Sequence, residues 1–279
     1  MTGEGTLVTI GGQPALRFER RYPHPMERVW HAISEPGEMA QWFPSNVEGD
    51  RRVGAELSFI DDAQRAAAHE AGEPTRDDGP MFQGTVITYD PPKVFSFTWG
   101  AELLRFELVP DGAGTVLVFT HLLSHQSVAA RNAAGWHMCL IALDHLLGSA
   151  PEDEGLSPTD LYDDYLDRVG PALGEPSGDG SLTWQRLTHV EPDRVRAVTS
   201  EPGQIEAWGG TERAADPVRW VIEPTDHGTL YRLTHDAVGD AELAATWHAL
   251  LIQLDMHLAA GQLIPVDHKR WIAAYEAVL

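Results

Sequence analysis

Ala32-Ile33-Ser34-Glu35-Pro36-Gly37, running on to Trp42, returns later in the chain as Val198-Thr199-Ser200-Glu201-Pro202-Gly203, running on to Trp208. Ser34 and Ser200 stand 166 positions apart. Two further matches follow in the same order. Leu104-Arg105-Phe106-Glu107-Leu108-Val109-Pro110 is answered by Val218-Arg219-Trp220-Val221-Ile222-Glu223-Pro224, and each leads through a glycine to a segment ending Thr-His, at Thr120-His121 and Thr234-His235. Trp136-His137 through Leu143-Asp144 is answered by Trp247-His248 through Leu254-Asp255, now 111 positions apart. Leu161 and Tyr165 correspond in the same way to Trp271 and Tyr275. Internal repetition sets the architecture before any local reading does. The offset falls from 166 to 111, so the second copy is 55 residues shorter, and most of the deficit corresponds to about residues 45–99.

Within the first copy, Leu16, Phe18 and Tyr22 alternate with Arg17, Glu19 and Arg21, the period of a half-buried strand. Pro23 and Pro25 end it. Val29, Trp30 and Ile33 then fall at helical spacing, and Pro36 suits the start of a second short helix. Strands are expected at Glu56 to Ile60, Phe82 to Tyr89, Val94 to Trp99, Leu104 to Leu108 and Thr115 to Leu123, with a hairpin turn at Asp111-Gly112-Ala113-Gly114. From Ser127 to Leu147 the stripe Trp136, Leu140, Leu143 and Leu147 predicts one long helix. The order strand, two short helices, antiparallel meander and long helix is an α+β pattern in which a sheet wraps the last helix. Asp61 to Pro80 reads as a loop and Gly170 to Ser181, with its prolines and glycines, as a linker.

The chain's 279 residues suffice for two domains, and 43% apolar content supports packed cores. Its formal net charge of −22 repels phosphate backbones and anionic lipid, so nucleic acid and membrane surfaces are not expected partners. No apolar run is long enough to span a bilayer. Met1 to Ile10 lacks a basic stretch followed by an apolar one, so no secretion signal is read there. Cys139 stands alone, which rules out an intrachain disulfide and fits a reducing, cytoplasmic location. A homodimer is expected because two-fold assemblies dominate soluble oligomers.

Phe18-Glu19-Arg20 to Pro25, Val29-Trp30, Trp42-Phe43-Pro44, Asp90-Pro91-Pro92 to Phe97-Thr98-Trp99, the Thr120-His121 strand and Gly135-Trp136 occur in an order that resembles the activator-of-Hsp90-ATPase-like branch of the START-like superfamily. The resemblance covers about residues 14–148. It implies a helix-grip fold, with a seven-stranded antiparallel sheet around a C-terminal helix and a hydrophobic cavity between them. The resulting domain plan is a complete START-like domain over 1–169, a linker over 170–181, and a truncated START-like repeat over 182–279 with about three strands. Members of the superfamily bind lipids, hormones or polyketides, and some are cyclases or hydrolases. The stretch before Ala15 is too short for the separate Hsp90-binding domain of the eukaryotic co-chaperone, so co-chaperone function is not expected.

Trp42, Phe59, Phe82, Phe97, Trp99, Phe106, Phe119, His121 and Trp136 are the candidate ligand-binding residues, as an apolar lining with few polar groups would be. The same aromatics equally suit an ordinary core. Trp136 leans toward core, since Trp247 repeats it in the copy that lacks a cup. His121, His125 and His137 invite a metal reading, but two of them recur in the truncated copy as His235 and His248, which favours structural hydrogen bonding. Glu107 is placed facing solvent, Asp144 in a solvated or capping role, and Cys139 as a small buried hydrophobe. The acidic stretch Asp61 to Asp78 could gate the cavity, or be a plain surface loop. No phosphate loop, nucleophile elbow or zinc-binding His-Glu-x-x-His motif is present. The expected function is binding of a small apolar molecule in the first domain, without catalysis or cofactor. A cyclase- or hydrolase-type enzyme using that cavity and an assembly protein with a collapsed cavity are the alternatives.

Overall fold

The computed structural model describes residues 4–60, 82–100, 102–123, 126–149, 157–188, 190–200, 218–225, 228–236, 239–260 and 266–279. The acidic stretch from Asp61 to Asp78, His125, and the repeated Glu201-Pro202-Gly203 with Trp208 lie outside these residues. The chain divides into two compact units, Met1–Gly170 and Pro171–Leu279.

The first unit runs β1 (Thr6–Ile10), β2 (Gln13–Tyr22), α1 (Met26–Ser34), α2 (Pro36–Met39), β3 (Asn46–Glu48), β4 (Glu56–Ile60), β5 (Phe82–Asp90), β6 (Val94–Trp99), β7 (Glu102–Asp111), β8 (Gly114–Leu122), α3 (Ala129–Leu146) and α4 (Pro158–Val169). Its strands form one antiparallel sheet in the order β1-β2-β8-β7-β6-β5-β4-β3. The resemblance implies seven strands; the eighth is β1, which folds back on β2 through Gly11 and Gly12, both at positive φ. At the β7–β8 hairpin Asp111 pairs with Gly114, and Gly112 takes the positive φ that a two-residue turn demands.

Local chemistry explains the helices. Pro36 occupies the first turn of α2, where its missing N–H costs nothing. Ser157 and Asp160 form a reciprocal capping box at the start of α4, with Pro158 next. In α3 the stripe Trp136, Leu140, Leu143 and Leu147 is buried as the spacing predicts.

Register builds the interior in rows. Phe18 pairs with Phe119, Phe119 with Phe106, and Phe106 with Phe95, an aromatic row across β2, β8, β7 and β6. The next row holds Leu16, His121, Leu104 and Phe97. Paired residues share a face, so both rows turn toward the same core.

At Gly84 the backbones of β5 and β6 approach closely. A Cβ there would lie 1.9 Å from the Thr98 carbonyl oxygen and 2.9 Å from the Phe59 ring. The Thr98 hydroxyl accepts the Thr85 N–H at 2.8 Å beside it. Gly84→Ala is therefore expected to destabilise the first unit by about 1–3 kcal/mol, read as a lower urea midpoint of the full chain.

The second unit contains β9 (Glu175–Pro176), β10 (Leu182–Thr188), α5 (Pro192–Ser200), β11 (Arg219–Thr225), β12 (Gly228–His235), α6 (Ala241–Ala260) and α7 (Ile272–Glu276). The sheet order is β9-β10-β12-β11, four strands rather than three, because Glu175 and Pro176 pair with Thr183 and Leu182. The stretch 170–181 is thus partly built into the sheet rather than serving wholly as a linker. Gly174 lies against the Trp184 indole, too close for a Cβ, and donates its N–H to the Tyr275 hydroxyl at 2.7 Å.

Candidate ligand-binding site

Alternation along each strand carries the aromatic side chains of the first unit inward. Phe59, Phe97, Phe106, Phe119 and His121 are fully buried, Trp42 and Trp136 nearly so, and Trp99 is half-buried. Their rings form one contiguous set. Centroids lie 4.7 Å apart for Phe106 and Phe119, 4.7 Å for Phe119 and Trp136, and 5.2 Å for Trp99 and Trp136. Phe59 meets Phe97 at 5.8 Å, and Trp42 meets Phe106 at 5.8 Å. Phe82 stands opposite Phe59 in the β4–β5 register, while its side chain lies outside the described residues.

A polar relay borders this apolar set. The Trp136 indole N–H donates to His121 Nδ1 at 2.9 Å, and His121 Nε2 lies 2.7 Å from Glu102 Oε2. With Nδ1 accepting, the ring proton sits on Nε2 and is donated to the carboxylate. Both nitrogens of His121 are therefore committed within the chain. The relay locks the Trp136 ring in place. Glu102 was missed in the sequence reading, although Glu102, Leu104, Phe106 and Leu108 share the period that points Leu104 and Phe106 inward.

Asp144 corrects an expectation. It is not solvated or capping, but buried on α3, where Tyr22 donates its hydroxyl at 2.7 Å and Arg20 Nε lies 3.3 Å away. Burial pushes the carboxyl above the usual aspartate range, against the pull of Tyr22 and Arg20. Burial, then the Asp144 charge, holds the Tyr22 hydroxyl well above its ordinary value. Cys139 is half-buried, and its thiol is pushed up to about 11 by burial. Glu107 remains half-exposed, bonded to Arg105 at 3.1 Å. His137 Nδ1 lies 2.9 Å from the Tyr165 hydroxyl, which also accepts the Gly5 N–H at 2.8 Å. Among the described residues no three His, Cys, Asp or Glu side chains converge as metal ligands.

Parallel groups occur in the second unit. Arg186 Nε lies 3.5 Å from Asp255, which accepts the Tyr231 hydroxyl, and His248 Nδ1 lies 3.1 Å from the Tyr275 hydroxyl. Burial pushes the Asp255 carboxyl up to about 7, against Arg186 and Tyr231, from an ordinary value of 3.8. An acid whose folded pKa is raised stabilises the fold fully below its unfolded pKa, and that contribution is lost as pH rises through the folded value. The second unit is therefore expected to lose thermal stability as pH rises from about 4 through about 7, and Asp255→Asn to remove that slope. Comparing the two proteins across the range isolates this carboxyl from His248, whose imidazole burial pushes well below its ordinary value.

A large antiparallel sheet laid on a long C-terminal helix, with an aromatic inner face, defines the START-like helix-grip class. Residues 23–148, within the first unit, match the model of the family described as activator of Hsp90 ATPase homolog 1-like protein, and this part of the chain is of that type. CalU16 from Micromonospora echinospora shares 19% identity, with 61% of this chain and 99% of that one covered and a TM-score of 0.44. A conserved protein of unknown function from Enterococcus faecalis shares 20% identity over 58% of this chain and 88% of its own, at a TM-score of 0.45. A protein from Bordetella parapertussis shares 30% identity over 60% and 92%, at 0.43. No curated protein matches the chain. The superfamily is one of hydrophobic-ligand binders. Among the described residues no helix is long and apolar enough to cross a membrane.

Proposed function

We propose that the first unit binds a small apolar molecule between its sheet and α3, and performs no chemistry on it. The observation that carries this reading is the inner face itself: contiguous aromatic rings with one polar relay, Glu102–His121–Trp136, at their border. Proton transfer to a substrate needs a group with a site to offer. His121 spends both nitrogens within the chain, and Asp144 is closed in with Arg20 and Tyr22, which favours binding over a cyclase or hydrolase. The lone cysteine supports a cytoplasmic setting.

In the same reading the second unit is a shortened copy without a cup. Its strand order β9-β10-β12-β11 repeats β1-β2-β8-β7. Arg186 and Asp255 stand where Arg20 and Asp144 do, and Tyr275 takes the Gly174 N–H as Tyr165 takes that of Gly5. Counterparts of β3 to β6, which carry Phe59, Phe97 and Trp99, fall in the 55-residue deficit.

Native mass spectrometry of the full chain, followed by denaturing extraction, tests the proposal. A small apolar molecule released in stoichiometric amount is the expected result, and the native mass also reads the expected homodimer. A clean mass, together with no uptake of an added apolar fluorophore, would overturn the binding reading.

A further inference from the structure

Phe43 and Trp42 are the interior rings carried by neither a strand nor a helix, and only Trp42 has an indole N–H to anchor it, donated to the Ala32 carbonyl at 2.8 Å. Phe59 belongs to β4, Phe97 and Trp99 to β6, and Trp136 to α3, so ladder or helix hydrogen bonds hold each backbone. Phe43 stands in the irregular stretch 40–45 between α2 and β3. Its N–H reaches back to the Met39 carbonyl at 2.9 Å. Two residues on, the Ser45 hydroxyl is buried with no hydrogen-bond partner among the described residues. A buried polar atom left unpaired disfavours the arrangement that buries it, so the short run 43–45, beyond the anchored Trp42, loses less than a ladder-bonded strand by moving.

The ring that this stretch delivers is nevertheless surrounded. Its centroid lies 5.5 Å from Trp136, 5.6 Å from Trp99, 6.1 Å from Phe97 and 6.3 Å from Phe59. The ring planes are inclined at 49°, 52°, 62° and 34° in the same order. Tilted and edge-to-face contacts at these separations are what an aromatic quadrupole favours, and a saturated chain of equal volume would gain the burial without them. The Trp136 wall is held by His121 and, through it, by Glu102. A carboxylate on the same face, in a chain of net charge −22, disfavours an anionic occupant.

Resting on the binding reading above, we propose that Phe43 occupies the ligand's own place, and that the ligand class is a planar, non-anionic aromatic molecule of one or two fused rings. The molecule enters by exchange: residues 43–45 swing aside while Trp42 stays anchored on the Ala32 carbonyl, the Phe43 ring leaves, and the incoming ring takes the same faces of Trp136, Trp99 and Phe97. Ser45, carried with the stretch, gains access to a hydrogen-bond partner.

Titration calorimetry of the full chain with indole and with 1-hexanol, for the wild type, Phe43→Ala and Phe106→Ala, tests this. Phe106 is the control, because it lines the same core from a ladder-bonded strand. Phe43→Ala is expected to bind indole at least about tenfold more tightly than either the wild type or Phe106→Ala, and to prefer indole to hexanol. Equal gains in the two variants, or equal affinity of Phe43→Ala for the two probes, would overturn it. Amide hydrogen exchange of the wild type covers the case in which Phe43→Ala fails to fold. Faster exchange at Phe43 than at Phe97, slowed by indole, is expected; protection equal to that of β6 would overturn the proposal. A wild type that takes up apolar molecules while showing either overturning result leaves the binding reading standing and removes only the exchange. Uptake of no apolar molecule by any of the three proteins removes both.

Discussion

Asp144→Ala is expected to destabilise the first unit by about 3–5 kcal/mol, because it leaves the Arg20 guanidinium buried without its counter-charge. Both side chains are almost wholly enclosed, at 9% and 8% exposure, so water cannot replace what the substitution removes. The Tyr22 hydroxyl loses its acceptor in the same step. Urea unfolding of the full chain should show the first unit's transition at markedly lower denaturant. Much of that loss is the penalty of an orphaned charge rather than the net worth of the pair. Arg20→Met combined with Asp144→Asn should therefore recover most of it, since Asn still accepts from Tyr22 and no charge stays buried. A double variant as unstable as Asp144→Ala would sink this account.

Trp136→Ala is the second large effect, at about 3–5 kcal/mol for the lost indole in a close-packed interior. Trp136 is 3% exposed and packs against Phe119, Trp99 and Phe43. Its removal also takes away the N–H that His121 Nδ1 accepts. Trp136→Phe separates the two contributions. It keeps most of the ring contact but loses the donor, and a cost of about 1–3 kcal/mol is expected for the unpaired nitrogen. A Trp136→Phe protein as stable as the wild type would mean that the relay contributes nothing to the fold.

How much of this was readable beforehand follows from the range over which each interaction acts. The β4 strand Glu56–Ile60 and the β6 strand Val94–Trp99 appear with the bounds their alternation predicts, and α3 follows the Trp136–Leu147 stripe. Side-chain period and turn residues are local properties, set by backbone geometry within a few positions. The β1 strand was overlooked, though Gly11 and Gly12 mark its turn. Among the candidate residues, the described aromatics do converge, because all but Trp42 lie on strands or on α3 and the fold closes those faces on one core.

The charged partners escaped the reading. Arg20 falls on the inward period of Leu16, Phe18 and Tyr22, and Asp144 lies four residues beyond Leu140 on the buried side of α3. Each alone looks like an exception to the apolar pattern; each is explained by the other, 124 positions away. Glu102 likewise breaks the apolar period of β7 until His121 is seen beside it.

The sequence by itself determined the class of fold and the helix and strand periods, because hydrophobic spacing and turn chemistry act along the chain. Only the tertiary structure decided which buried polar groups satisfy one another, which ring stands at the centre of the cluster, and that Phe43 reaches it from an irregular stretch. Hydrogen bonds and ring contacts depend on angstrom-scale distances between elements remote in sequence, and no local pattern encodes those distances.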